Sequence, residues 1–200
     1  MSRTGRKAGP RTGTSGGTRR VSSTVASVRT VFIGDSHLAR FRRELRRFSG
    51  DVRNAAEGGA SSRDLLRQAD AVGLRDSDSV VLSVGTNDAA PWKQVPVSEF
   101  VQTLSMFVAS HSPRGWVFVA PPGVVEGRLT GARDRTNAVI DEYRLAAIEV
   151  CEGVGGHVVR TDLMLESLGA KAFAEDGVHL NGTGYRVLVR AIKSACGALQ

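Results

Sequence analysis

The sequence predicts an α/β protein whose parallel sheet is covered by helices on both faces. Short β-rich apolar runs alternate five times with stretches of helical periodicity, the pattern of strands joined through crossover helices. The runs are continuous rather than alternating, as expected of strands buried on both sides. At 200 residues and 41% hydrophobic content, the chain is long enough to bury one such core.

Each element has its own signal. Thr30-Val31-Phe32-Ile33 is a strand ending at Gly34. Leu38, Phe41, Leu45 and Phe48 then recur on one helical face, predicting a helix over 37–48. A brief strand is expected near Asp51–Asn54. Ser61 or Ser62 caps a helix running to about residue 72, with Leu65 and Leu66 inward. Val80 to Val84 is a buried strand. Phe100, Val101, Leu104, Phe107 and Val108 mark a helix. Trp116 to Ala120 is a fourth strand, stopped by Pro121-Pro122. Residues 132–151 read as a long helix, His157-Val158-Val159 as the fifth strand, and Tyr185, Leu188, Ile192, Ala195 and Leu199 as a closing helix.

The net charge of +7 suggests a nucleic-acid binder until it is mapped. Arg3, Arg6, Lys7, Arg11, Arg19, Arg20 and Arg29 precede the first acidic residue, Asp35, and residues 30–200 hold 20 basic and 20 acidic side chains. The basicity belongs to a leading stretch, so no dedicated nucleic-acid partner is expected. Residues 1–28 are Gly-, Ser-, Thr- and Arg-rich and are expected to be a disordered basic tail preceding a domain at 29–200. The tail has no apolar signal core, which predicts a cytoplasmic protein, and no apolar run is long enough for a transmembrane segment. Two cysteines, Cys151 and Cys196, exclude a disulfide scaffold; they are two core thiols or a single bridge. No metal-ligand cluster, phosphate loop or dinucleotide fingerprint occurs, so neither metal nor cofactor is expected.

In open parallel sheets, sites gather where the strands end. Four polar blocks fall there: Gly34-Asp35-Ser36, Asn54 to Gly59, Gly85-Thr86-Asn87-Asp88, and Asp176-Gly177-Val178-His179. A serine hydroxyl becomes a nucleophile when a base takes its proton. His179 suits that role, and Asp176 could fix its tautomer. Attack on an acyl carbon creates an oxyanion that needs placed donors. The N–H of Ser36, the N–H of Gly59 and the side-chain amide of Asn87 are candidates. Each block also has a plainer reading: Ser36 as a helix cap, Asn87 and Asp88 as turn formers, Gly59 as a turn glycine. Gly13 to Gly17 matches the G-x-S-x-G nucleophile elbow, but that motif needs a strand before it and a helix after it.

These four blocks, in this order, resemble the SGNH hydrolases, or GDSL-type esterases and lipases. The family's serine, glycine, asparagine and histidine fall on Ser36, Gly59, Asn87 and His179, and Leu180 to Tyr185 resembles the stretch that trails the family's histidine. The resemblance implies a flavodoxin-like three-layer α/β/α sandwich with strand order 2-1-3-4-5. It implies a serine esterase working through a Ser36–His179–Asp176 triad and an acyl-enzyme. Three departures concern the pocket. His37 follows the serine where Leu or Ile is common, Ala56 replaces a glycine, and Gly58 beside Gly59 leaves the oxyanion glycine open by one residue.

A small-molecule ester is the expected partner, with a short acyl group such as acetyl on a sugar or small alcohol. His37, Trp92 and Arg128, with Glu126, are candidate substrate-lining residues. Arg40, Arg42, Arg43, Arg46 and Arg47 read as a solvated face, with an anionic substrate or membrane surface as the alternative. An acyltransferase would share the same intermediate, and a non-catalytic binding module would share only the fold. A monomer or weak homo-oligomer is expected.

Overall fold

The computed structural model describes residues 1–2, 28–131 and 134–199. Most of the tail expected over 1–28, and the Gly13–Gly17 match with it, lies outside the described residues. Five strands form one parallel sheet in the order β2-β1-β3-β4-β5. They are β1 (Thr30–Gly34), β2 (Val52–Asn54), β3 (Ser79–Ser83), β4 (Gly115–Val119) and β5 (His157–Val159). The helices are α1 (Ser36–Ala39), α2 (Leu65–Val72), α3 (Val97–Ala109), α4 (Asn137–Gly153), α5 (Thr161–Leu165) and α6 (Gly182–Ala198).

The continuous apolar runs are explained by a core on each side of the sheet. Val31, Ile33, Val80, Leu82, Trp116 and Phe118 pack on one face with residues of α2, α3 and α4. Their neighbours Phe32, Val81, Val117 and Val119 pack on the other with Leu38 of α1 and Leu188 and Ile192 of α6. Side chains alternate across a strand, so only an unbroken apolar run fills both layers. Cys151 and Cys196 are free buried thiols on opposite sides, in different clusters. Burial pushes them up to about 12 and about 11 respectively.

Arg29, counted with the basic leading stretch on composition, is built into the body. It is buried and donates to both oxygens of Asp78, at 2.8 and 2.6 Å, beside the starts of β1 and β3.

The expected helix over 37–48 is instead α1 followed by two 3₁₀ turns, Arg40–Arg43 and Leu45–Arg47. A continuous α-helix would stack Arg42 on Arg46 and Arg43 on Arg47, four residues apart, where like charges repel. Leu66, expected inward, is 57% exposed. The inward face of α2 is Leu65, Gln68 and Ala69, one helical stripe that leaves Leu66 outside. The helix expected over 132–151 starts at Asn137, where the Thr136 side chain accepts from the Val139 N–H.

Candidate active site

Sheet order sets the site. From β1 the chain turns to β2 on one side and then to β3 on the other, leaving a switch point at the carboxyl ends of β1 and β3. The backbone there is very close. A Cβ on Gly34 would lie 1.9 Å from the Ser83 carbonyl oxygen, and Gly34 has φ +132°. Only glycine lets β1 end against β3 in this way. Buried Gln68 grips the same residue twice: the Gly34 N–H donates to Oε1 at 2.6 Å, and Nε2 donates to the Gly34 carbonyl at 3.0 Å.

Ser36 therefore stands at a fixed point, first in α1 and 7% exposed. Its Oγ lies 3.0 Å from His179 Nε2, and His179 Nδ1 lies 2.6 Å from Asp176 Oδ2. The other oxygen of Asp176 accepts from the N–H groups of His179 at 2.9 Å and Val178 at 3.0 Å. Partial burial pushes the Asp176 carboxyl up, but the hydrogen bonds from His179 and Val178 win and hold it at about 2. It is thus an anion at neutral pH, accepting from Nδ1 and leaving Nε2 to face the hydroxyl. Gly177 completes the turn at φ +69°, where a Cβ would meet the Val125 carbonyl oxygen at 2.7 Å. Asn181 then caps α6 through the N–H groups of Thr183 and Gly184.

Asn87 follows β3 and is buried. Its Nδ2 donates to the Ala60 carbonyl at 2.9 Å, and its Oδ1 accepts from Arg135 Nη1 at 3.3 Å. A guanidinium only donates, so it fixes the amide oxygen on its own side and turns the NH₂ away. Arg135 is 6% exposed, also donates to the Thr86 carbonyl at 2.9 Å, and lies 4.8 Å from the Trp92 ring centroid. Asp88 ties two loops together, accepting from the Ser62 N–H at 2.8 Å and the Gly85 N–H at 3.0 Å.

A cavity of about 440 Å³ opens over the serine, lined by Ser36, Ala39, Arg40, Arg42, Gly58, Gly59 and His179. Gly59 sits at φ +76° and Gly58 does not take a left-handed conformation. Ser36, Gly59 and His179 thus share one cavity, with Asp176 behind His179.

The four predicted lining residues, His37, Trp92, Arg128 and Glu126, are not among those that line this cavity. His37 is buried beneath the site, its ring 6.0 Å from that of His179 and both its ring nitrogens without a partner among the described residues. Burial, then the nearby His179 and Arg40 charges, lowers it to about 3, so it is a neutral ring. Trp92 is 57% exposed and carries the Arg135 guanidinium on its face. Arg128 Nη1 spends its donors on the carbonyls of Ala170, Phe173 and Ala174, bracing the segment that leads to Asp176. Glu126 accepts from the backbone N–H and side chain of Asn137. The sequence did not point to Gln68 or Arg135, which belong to no motif and act on residues 34 and 48 positions away.

A serine hydroxyl, an imidazole and a carboxylate in hydrogen-bonded sequence, at the strand ends of a parallel sheet, define the class of serine hydrolases on a three-layer α/β/α fold. A family model described as the GDSL-like lipase/acylhydrolase family matches residues 23–187. The chain belongs to this family and is an SGNH-type ester hydrolase.

Solved structures agree on the fold. A lipase/acylhydrolase from Enterococcus faecalis superposes with TM-score 0.72 at 21% identity, covering 86% of this chain and 97% of that one. An alpha/beta hydrolase from the metagenome of Lake Arreo, Spain, gives 0.66 at 25% identity, covering 88% and 97%. A catalytic mutant of an acetylxylan esterase from Geobacillus stearothermophilus gives 0.66 at 21%, covering 86% and 95%. No curated protein matches by sequence. Among the described residues, no helix is long and apolar enough to cross a membrane, and no group of three or more His, Cys, Asp or Glu is gathered as a metal site would require.

Proposed function

We propose that the chain hydrolyses a short-chain acyl ester, such as an acetyl ester of a sugar or small alcohol, through an acyl-enzyme on Ser36. The observation that carries this reading is the unbroken hydrogen-bond sequence from Ser36 Oγ through His179 to Asp176. His179 takes the hydroxyl proton as Oγ attacks the carbonyl carbon, and Asp176 stabilises the imidazolium that results. The oxyanion is received by the Ser36 N–H, the Gly59 N–H and the Asn87 NH₂, the last aimed by Arg135. His179 then returns the proton to the leaving alcohol. Water enters, gives a proton to His179, and attacks the acyl-enzyme; collapse frees the acid and restores Ser36.

A short acyl group is favoured by the cavity's lining, which contains no large apolar side chain. The acetylxylan esterase with the same fold is consistent with an acetylated sugar.

Incubation with a fluorophosphonate probe, beside Ser36→Ala, tests the mechanism. A mass adduct on Ser36, absent from the variant, is expected, together with loss of turnover on a p-nitrophenyl ester chain-length series that is fastest at acetyl. No adduct on folded protein would refute the acyl-enzyme; fastest turnover of long acyl chains would refute the short-chain assignment. Adding alcohol or sugar acceptors measures whether water alone takes the acyl group.

A further inference from the structure

Two arginines stand in the cavity that holds the serine and the imidazole. Arg40 and Arg42 line it with Ser36 and His179, and no acidic residue does. Several other arginines of the chain are neutralised closely. Arg29, Arg63, Arg67, Arg135, Arg144 and Arg160 each hold a carboxylate. Among the described residues, Arg40 and Arg42 make no side-chain hydrogen bond or ion pair that would occupy them, and both are exposed. Their shared placement comes from the local winding. Residues two apart project about 160° from one another on an α-helix, but only about 120° apart in a 3₁₀ turn, which is what Arg40–Arg43 adopts. Glu44, the acidic residue of the same segment, is already held by Arg47.

We propose that Arg40 and Arg42 form an anion subsite, and that the preferred ester carries a carboxylate or phosphate on its acyl or alcohol part. The guanidinium fork matches the oxygens of such groups, and two forks on one wall fix the orientation of the ester against Ser36. This rests on the proposed esterase reading and narrows it from a small ester to an anionic one.

The test uses matched esters, each rate divided by the hydroxide-catalysed rate of the same compound. On the acyl side, 4-nitrophenyl hemiglutarate is compared with 4-nitrophenyl valerate. On the alcohol side, 4-acetoxybenzoate is compared with its methyl ester. In one series the anionic member should be preferred in kcat/KM by about 10-fold at low salt, the size expected of two partly exposed ion pairs. That preference should shrink toward parity in about 1 M NaCl, where screening acts over about 3 Å. The ratio should fall to near unity in the Arg40→Gln/Arg42→Gln double variant, invert in Arg40→Glu/Arg42→Glu, and persist in Arg46→Gln. Equal or better turnover of the neutral member in both series overturns the subsite, as does a preference that survives the double variant. If neutral esters are turned over in a Ser36-dependent way without such a preference, the subsite falls alone. If Ser36 takes no probe and no ester is cleaved, the esterase reading falls and the subsite with it.

Discussion

Asp35 and His37 flank the serine, are both buried, and should oppose one another in how stability depends on pH. Burial pushes the Asp35 carboxyl up to about 7, with one oxygen accepting from the His37 N–H and the other unpartnered among the described residues. In the unfolded chain it would titrate near 3.8. Between those values the folded state keeps a proton that the unfolded state has lost, so stability falls as pH rises toward 7. His37 runs the other way, at about 3 folded against 6.5 unfolded. The unfolded chain protonates first, so stability falls as pH drops from 6.5 toward 3. At about 1.36 kcal/mol per pH unit, each group is worth at most on the order of 4–5 kcal/mol. Their slopes largely cancel between about pH 4 and 6.5.

Asp35→Asn isolates the histidine. The amide oxygen can still accept from the His37 N–H, and the side chain no longer titrates. Urea unfolding followed by circular dichroism, at steps from about pH 4.5 to 7.5, should then show stability rising with pH up to about 6.5. The gain over that interval should exceed the wild-type gain by about 2 kcal/mol, taking half the upper bound. Any uniform cost of the new NH₂ displaces the curve without tilting it. A variant curve parallel to wild type within about 0.5 kcal/mol would refute the linkage.

Three further outcomes are expected of the site. Asn87→Ala should lower kcat on a p-nitrophenyl ester by about 10²–10³-fold, the cost of one oxyanion donor, with a smaller effect on KM; a loss under about fivefold would remove Asn87 from that role. Arg135→Met frees the Asn87 amide to rotate, so kcat should fall by about 10-fold in the native background and by much less once Asn87 is alanine. Equal losses in both backgrounds would reduce Arg135 to a purely structural residue. Gly34→Ala places a methyl carbon 1.9 Å from the Ser83 carbonyl oxygen, so no native-like folded protein should accumulate; a soluble variant melting within a few degrees of wild type would contradict the described approach of β1 to β3.

Legibility in the sequence is a matter of range. Strands were legible because a run such as Val80-Val81-Leu82 must be apolar at successive positions to serve two layers. Ser36, Gly59 and Asn87 were legible because each sits in the turn after a strand that could itself be read, whereas Asp176 and His179 lie beyond α5, just before α6, and were legible from their own spacing. Gln68 was hidden because a helix pattern registers apolar positions, and here an amide occupies the inward stripe to hold the Gly34 peptide. Arg135 was hidden because its partner is 48 residues distant and its loop has no periodicity. Over 37–48 the apolar spacing fits an α-helix while the charge spacing opposes one.

The hydrogen bond between Ser36 and His179 joins residues 143 positions apart, in the first and last of the four polar blocks. During synthesis the hydroxyl therefore emerges long before the group that would arouse it. A fragment ending before Asp176 holds the residues of all five strands and still lacks the imidazole that faces Ser36. On the proposed mechanism, reactivity would arrive only when the closing turn has docked against Ser36, so turnover would report that the last segment has been built. On the proposed mechanism, a cut between α5 and Asp176 would separate the imidazole and its carboxylate from the chain that carries Ser36 and all five strands.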